Sequence, residues 1–209
     1  MTRHRRYLLA LVVGAASALV LAGCATPSAS DAPPGASLGS VWPAPPEGDV
    51  MAQGTVLDTG GDPQLCLGAI AESYPPQCSG IPIEGWDWEG LDGHETASGV
   101  TWGAYAVQGT YDGDTFVLTE DPVMLALYDP MVAPDPTGGE PGAGTEPQLT
   151  ELQDELPQRL GDAYLMSMPE NGWLLVDVVW DDGTWQKAAD DDFGEDIVLI
   201  RSALTPVAG

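Results

Sequence analysis

Basic residues are scarce in this chain. Six lysine and arginine side chains stand against 32 aspartate and glutamate side chains, and three of the six, Arg3, Arg5 and Arg6, lie at the N-terminus. Without residues 1–23, three basic residues remain against 32 acidic ones, a net charge of −29. Since proteins bind phosphate backbones through lysine and arginine, this deficit excludes nucleic acid as a partner. Anionic lipid headgroups repel the same charge, so membrane attachment has to come from something other than a basic patch.

Histidine and cysteine are also scarce, with two and three residues. His94 is the one histidine beyond residue 23, and it has no identifiable partner for acid–base or nucleophilic chemistry. The cysteines lack the paired Cys-x-x-Cys spacing that is typical of structural zinc sites. The sequence therefore predicts no catalytic residue and no cofactor.

The first 23 residues have the layout of an export signal. A basic start is followed by an apolar stretch, residues 7–21, which is too short for a retained membrane-spanning helix of about 20 residues. The stretch ends in Leu21-Ala22-Gly23-Cys24, and small residues directly before a cysteine resemble the lipobox of bacterial lipoproteins. The resemblance implies that residues 1–23 are removed and that lipid on Cys24 anchors the protein to the cell membrane, outside the cytoplasm. Sec export is the default prediction, with twin-arginine export as the alternative.

Assigning Cys24 to lipid leaves Cys66 and Cys78 as an even pair. Outside the cytoplasm such a pair is expected to be oxidised. A disulfide that closes a loop of this length stabilises a fold by about 3 kcal/mol in the chain-entropy model.

Two breaker-rich stretches divide the mature chain. Residues 24–48 are rich in alanine, proline, serine and glycine and are predicted to form a disordered tether between lipid and folded body. Residues 130–144 are a Pro/Gly linker or long loop. They separate a β-rich domain with the disulfide, residues 49–129, from an α+β segment, residues 145–209. The second piece is small for a core of its own, so the two are expected to pack together.

Alternating apolar residues predict strands in the first piece. These strands are expected at residues 50–57, 64–70, 101–111 and 115–119. Tyr105 and Val107 share one face of the third strand. Asp112-Gly113 predicts a type I′ hairpin turn between the last two strands, because this turn needs positive φ at both central residues.

The second piece is expected to open with a helix. Thr145 is the predicted N-cap, with capping-box spacing to a glutamine, and Pro157 is expected to end or kink the helix. Between them lies an apolar stripe of Leu149, Leu152 and Leu156. Strands are expected at residues 163–167, 173–180 and 197–204. Asn171-Gly172 and Asp182-Gly183 predict the hairpin turns that join them.

Four segments resemble a group of uncharacterised actinobacterial lipoproteins. They are Gln64 to Gly68, Ser73 to Cys78 with its Pro-Pro-Gln-Cys ending, Gly85 to Trp88, and Gly109 to Gly113. The resemblance implies lipid anchoring and a Cys66–Cys78 bridge, but no activity.

Short strands with glycine-rich turns predict an α+β fold that is mainly β. The expected architecture is a small antiparallel β-barrel or sheet, followed by an α+β C-terminal segment packed on it. A barrel of oligonucleotide/oligosaccharide-binding (OB) type is one form that fits, as a fold analogy.

Trp86 and Trp88 are candidate ligand-binding residues. Two positions apart, they lie on one face of an extended segment, with Asp87 and Glu89 opposite. Adjacent aromatic side chains can bind a sugar, and paired carboxylates near them could hydrolyse a glycosidic bond. The simpler interpretation, which we favour, is that both indoles fill the core of a small domain with few phenylalanines.

Asp190, Asp191 and Asp192, with Glu195, are candidate metal ligands. Carboxylate oxygens suit calcium, yet the spacing does not match an EF-hand loop. We therefore favour a solvated acidic loop over a cation site.

The favoured function is that of a lipid-anchored, non-catalytic binding or envelope-interaction module. Its expected partners are the membrane, through the lipid on Cys24, and a protein or saccharide of the cell envelope; no oligomeric state is predicted. The alternatives are an envelope polysaccharide hydrolase that uses carboxylates near Trp86 and Trp88, and a calcium-binding surface protein.

Overall fold

A computed structural model describes residues 37–129 and 135–207, which belong to one compact unit spanning residues 34–209. Cys24 and residues 1–23 lie outside the described residues, so lipid anchoring stays a prediction. In the two described ranges, no helix has the length and apolar character needed to cross a membrane.

The first described range is rich in strands. It contains β1 (Val50–Asp58), β2 (Gln64–Cys66), β3 (Ile81–Glu84), β4 (His94–Ala97), β5 (Val100–Tyr111), β6 (Phe116–Leu118), β7 (Val123–Met124) and a 3-10 turn (Leu125–Leu127). The second range contains α1 (Glu146–Leu160), a 3-10 turn (Gly161–Ala163), β8 (Tyr164–Glu170), β9 (Trp173–Val178), α2 (Thr184–Phe193), β10 (Val198–Ser202) and β11 (Thr205–Pro206).

Five of the described strands close into a barrel. Their order is β1, β2, β3, β6, β5 and back to β1, while β4 and β7 pair with β5 and β11 pairs with β1. Every neighbouring pair is antiparallel except β3 and β6, which are parallel. The prediction of a mainly β, α+β fold with a small barrel is confirmed, but the barrel is mixed rather than purely antiparallel. An OB-type barrel stays a fold analogy for this arrangement.

Alternate residues of β1 and β5 point into the barrel, as the sequence pattern predicts. Tyr105 and Val107 are buried on the inner face of β5. The rest of the barrel core comes from Val50, Ala52, Val56, Leu65, Ile83, Tyr111 and Phe116. At Gly109 β5 passes so close to β6 that a Cβ would overlap the Val117 carbonyl oxygen. Glycine is therefore needed there for the strand to curl into the barrel.

The predicted hairpin between β5 and β6 forms, but with a longer turn than expected. Tyr111 pairs with Phe116, so four residues connect the strands instead of two. Gly113 has a φ of 103°, whereas Asp112 is not in the positive-φ region that a type I′ turn requires. The Asp112 carboxylate instead accepts the N–H groups of Asp114 and Thr115, at 3.0 and 2.8 Å.

Strands β8, β9 and β10 form a three-stranded sheet that packs one face against both helices. Asn171 and Gly172 join β8 to β9 with φ values of 48° and 84°, which confirms the predicted two-residue turn. β9 and β10 are parallel, and α2 makes the crossover between them.

Helix α1 does not end at Pro157, one of the two predicted outcomes, but continues to Leu160, with Gly161 as its C-cap residue. Its buried stripe consists of Leu149, Leu152, Leu156 and Leu160. Because Leu156 and Leu160 are both fully buried, packing on either side of the proline holds the last turn despite the missing N–H. Thr145 is the N-cap residue, but its backbone carbonyl, and not its side chain, accepts the hydrogen bond from Leu149.

Helix α2 begins where the sequence predicts a hairpin turn. Asp182-Gly183 leads into the helix instead of joining two strands. The Asp181 carboxylate accepts the N–H groups of Trp185 and Gln186, at 2.9 and 3.1 Å. The first N–H groups of a helix have no carbonyl partner within the helix. By accepting two of them, Asp181 stabilises a helix that begins at this position.

Glutamine side chains cap both edges of the three-stranded sheet. Gln186 on α2 accepts the Ile200 N–H at 2.8 Å and donates to the Val198 carbonyl at 3.0 Å, in the place of a further strand. Gln153 on α1 donates to the Ser167 carbonyl of β8 at 2.9 Å. Open strand edges invite pairing with other chains, so these contacts protect the sheet from strand addition.

Residues 37–48 form a strap that packs against the C-terminal segment. Leu38 is 3 % exposed and belongs to the core between the helices and the sheet. The Val41 carbonyl accepts the indole N–H of Trp185 at 2.8 Å. The prediction of a disordered tether is therefore wrong for residues 37–48, because buried apolar side chains and paired backbone groups order them. The remaining tether residues, 24–36, lie outside the described part of the chain.

The C-terminal segment packs on the barrel, as predicted. Val179 and Leu204, just after β9 and β10, are buried in the barrel core. β11 then pairs with the first residues of β1. The two hydrophobic cores therefore meet within one compact unit.

Candidate binding groove

A groove of about 720 Å³ lies between the barrel and the C-terminal segment. Leu65 of β2 and Ile81 and Pro82 of β3 line it on the barrel side. Residues 161–163, which connect α1 to β8, and the first two residues of β8 line the opposite side. The packing of the C-terminal segment on the barrel thus creates a concave site that neither part has alone.

The disulfide loop forms one wall of the groove. Cys66 and Cys78 are bonded, with their Cα atoms 6.2 Å apart, so the predicted bridge is confirmed. Leu67, Gly68 and Ala69 follow Cys66 directly and line the groove. Gly68 lies against Leu165, with 3.3 Å between the position of a Cβ and the Leu165 Cβ atom. The bridge therefore fixes the base of a loop that contacts both parts of the protein.

The strap supplies an exposed tryptophan to the groove. The Trp42 side chain lines the groove and is 63 % exposed. Its ring meets the buried Trp185 ring edge to face, with the ring centroids 5.6 Å apart. The Ala44 carbonyl accepts the Trp180 indole N–H at 2.8 Å, which fixes the strap backbone on the other side of Trp42. An exposed aromatic ring on a fixed backbone can bind a ligand at little cost in conformational entropy.

Acidic side chains set the charge of the groove. Asp114, in the β5–β6 turn, and Asp162, after α1, are both among the residues that line it. Burial, followed by the charges of Asp114 and Asp112, raises the pKa of the Tyr111 phenol to about 12. Hydrogen bonds from the N–H groups of Thr115 and Asp114 lower the pKa of the Asp112 carboxyl, so it keeps its charge to lower pH than an ordinary aspartate.

Trp86 and Trp88 lie away from the groove, in the loop between β3 and β4. Both rings are half-buried against the barrel core, next to Tyr105. They meet edge to face, at 75° with centroids 5.1 Å apart, instead of forming a flat platform. The Trp88 indole donates to Asp58 at 3.3 Å, and its ring lies 5.4 Å from that of His94. Among the described residues, the buried Trp86 N–H has no hydrogen-bond partner.

The candidate metal ligands lie on helix α2 and beyond it, so the prediction of an acidic loop is wrong for residues 190–192. Asp190 accepts from Gln186, and Asp191 pairs with Lys187 at 2.7 Å. Asp192 accepts from Ser37, Leu38 and Arg159, at 3.0, 3.0 and 2.8 Å. In the described ranges, these residues and Glu195 form no cluster of three or more groups arranged to hold a metal ion.

Sequence reasoning did not identify the groove residues Trp42, Tyr111, Asp114 and Asp162. One signal was present: Leu38, Val41 and Trp42 form a short apolar run within an otherwise polar, breaker-rich stretch. A tether that only spaces a body from a membrane has no need of such residues.

The comparisons with known proteins leave the resemblance to actinobacterial lipoproteins as a prediction, since no protein-family model, curated protein or solved structure matches this chain.

Proposed function

We propose that this protein is a lipid-anchored, non-catalytic binding module whose ligand site is the groove between the barrel and the C-terminal segment. The observation that carries the proposal is the groove itself. Its volume of about 720 Å³ falls within the range of about 300–1,000 Å³ that is typical of small-ligand sites. By fold analogy, it also lies on the β2–β3 face that OB-type barrels use for binding.

The polar groups around the groove favour binding over catalysis. Among the described residues, Ser79 is the one serine that lines it, and His94 lies elsewhere, at the start of β4 beside Trp88. A serine nucleophile needs a base within hydrogen-bond distance. The exposed ring of Trp42 and the carboxylates of Asp114 and Asp162 suit recognition of a ligand without any reaction.

Chain length limits how far the groove can lie from the membrane. Twelve residues separate Cys24 from Ser37, where the described strap begins. Even a fully extended chain rises only about 3.5 Å per residue, so this connection spans at most about 45 Å. A lipid on Cys24 would therefore keep the groove close to the membrane surface.

Replacing Cys24 with serine tests the anchor. Without the thiol there is no site for diacylglycerol, so we expect an unprocessed precursor that takes up no labelled palmitate. Metabolic labelling and the mass of the exported chain report both effects. A Cys24→Ser chain that is cut and membrane-bound like the wild type contradicts the anchor. Cys66→Ala, which leaves Cys24 intact, is the matched control and should be processed normally.

A photoreactive amino acid at Ala69 tests the groove. Ala69 is exposed and lines the groove, so we expect cross-linked adducts in cells that produce the protein. A second substitution, Ser79→Trp, fills the groove from an exposed position and should abolish the adducts while leaving the melting temperature unchanged. The same photoreactive residue at Glu151, on the exposed face of α1, is the matched control. Equal adducts at both positions, insensitive to Ser79→Trp, contradict a binding role for the groove.

A further inference from the structure

The negative charge of the groove is not balanced by any neighbouring cation in the described structure. Its lining residues include the carboxylates of Asp114 and Asp162 and, within the described ranges, no lysine, arginine or histidine. Three basic side chains lie beyond residue 24, and each forms an ion pair outside the groove. The pairs are Arg159 with Glu155 and Asp192, Lys187 with Asp191, and Arg201 with Asp177. A cation that enters the groove therefore meets unpaired carboxylates and no repelling charge.

Aromatic rings add a second feature that suits a cation. Trp42, Tyr111 and Tyr164 all line the groove, and Trp42 is largely exposed. Ammonium and guanidinium groups are attracted to the faces of such rings, most strongly to tryptophan. The charges of Asp114 and Asp112 already act on the Tyr111 phenol, which indicates a negative potential at this end of the groove.

The walls of the groove suit a ligand with a peptide backbone. Gly68, Gly80, Gly113 and Gly161 are among the lining residues, so four positions of the wall carry no side chain. Around Gly161 a Cβ would meet nothing within 4 Å, and around Gly113 only Pro45, at 3.7 Å. Positions without a side chain let the backbone of a bound peptide approach the wall closely.

The strap shows that this protein already holds an irregular segment through carboxylates and indole N–H groups. The Leu38 and Ala44 N–H groups donate to carboxylates, of Asp192 and Asp182, at 3.0 and 3.1 Å. Indole N–H groups donate to strap carbonyls at 2.8 Å. Carboxylates and tryptophans are also the side chains that distinguish the adjoining groove.

We propose that the groove binds a basic peptide segment, with lysine or arginine side chains between the carboxylates of Asp114 and Asp162 and the ring of Trp42. This inference rests on the proposed function and specifies its ligand class. Such binding is distinct from the nonspecific attraction that the net negative charge exerts on any cation. The carboxylates of the groove, and not the acidic residues elsewhere on the surface, determine the affinity.

The test is a titration of the full chain in non-ionic detergent with two acetylated pentapeptide amides, Ala-Lys-Ala-Lys-Ala and the uncharged Ala-Gln-Ala-Gln-Ala. Salt at 0.15 M reduces the Debye length to about 8 Å and so screens bulk attraction. We expect saturable shifts of the Trp42 indole and Gly113 amide resonances with the lysine peptide, and affinity about tenfold weaker for the glutamine peptide. The Trp88 indole, outside the groove, is the internal reference.

Paired variants separate the groove from the bulk charge. Asp114→Asn with Asp162→Asn should weaken binding of the lysine peptide about tenfold. Glu151→Gln with Asp154→Asn removes the same charge from the exposed face of α1 and should change the affinity by about twofold or less. Equal weakening by both pairs overturns the inference. So does equal binding of the two peptides.

The proposed function and this inference fail in different ways. If neither peptide moves the groove resonances while the photoreactive residue at Ala69 still forms adducts that Ser79→Trp abolishes, the ligand is not a basic peptide and the binding module stands. If the peptides leave the groove unaffected and those adducts are also missing, both proposals are wrong.

Discussion

Replacing Trp185 with alanine is expected to destabilise the protein by about 3–5 kcal/mol, the usual cost of truncating a buried large aromatic side chain. Trp185 is 2 % exposed and lies in the core between the two helices and the three-stranded sheet. Its indole N–H also donates to the Val41 carbonyl, and its ring supports that of Trp42. The substitution therefore opens a cavity and releases the strap at the same time. The midpoint and slope of urea unfolding measure the loss.

Trp42→Ala is the matched control for this prediction. It removes a tryptophan from the same ring pair, but one that is 63 % exposed and makes no side-chain hydrogen bond among the described residues. Its stability should change by about 1 kcal/mol or less. In addition, amide hydrogen exchange in residues 37–44 should accelerate much more in Trp185→Ala than in Trp42→Ala. Similar exchange in the two variants would mean that Trp185 does not hold the strap.

Features governed by neighbouring residues were predictable from the sequence. The alternation at Tyr105 and Val107 identified the inner face of β5 because side chains alternate along any strand. Asn171-Gly172 specified its own turn, since few other residue pairs accept positive φ twice in succession. The pairing of Cys66 with Cys78 was predicted from the number of cysteines and the expected location outside the cytoplasm, and needed no knowledge of the distance between them.

Features that depend on distant parts of the chain were not predictable. The parallel pairing of β3 with β6 is set by barrel closure, which brings together strands about thirty residues apart. Asp182-Gly183 has the composition of a hairpin turn, and only the carboxylate of Asp181 and the buried ring of Trp185 make it a helix start. The strap needs the core of the C-terminal segment to order it, and that core begins more than a hundred residues later.

The groove is the extreme case of this non-local dependence. Its lining residues come from the strap, the β2–β3 region, the β5–β6 turn and the connection after α1. None of these segments contains a ligand-binding motif, because a site made of exposed carboxylates and aromatic rings requires no particular spacing in the sequence. Trp86 and Trp88 attracted interest as adjacent tryptophans, yet their position is explained by contact with the barrel core.

Reduction of the Cys66–Cys78 disulfide is expected to lower the melting temperature by about 6–12 °C. The bridge closes a loop with a sequence separation of 12 residues, and a loop of this length contributes about 3 kcal/mol by restricting the unfolded chain. For a chain of about 150–250 residues, each kcal/mol corresponds to about 2–4 °C. Calorimetry with and without dithiothreitol measures the shift, and thiol titration confirms that the bond is open.

The same reduction is expected to weaken the groove, because Leu67, Gly68 and Ala69 follow Cys66 and form its wall. Cys78→Ala is the matched variant: it removes the bridge and leaves the buried Cys66 at the end of β2. It should melt near the temperature of the reduced wild type and should not respond to dithiothreitol. Photo-cross-linking from Ala69 should fall in both, since the loop then samples positions away from Leu165. If the reduced protein has fully titratable thiols and still melts at the same temperature as the oxidised protein, barrel packing alone holds this loop.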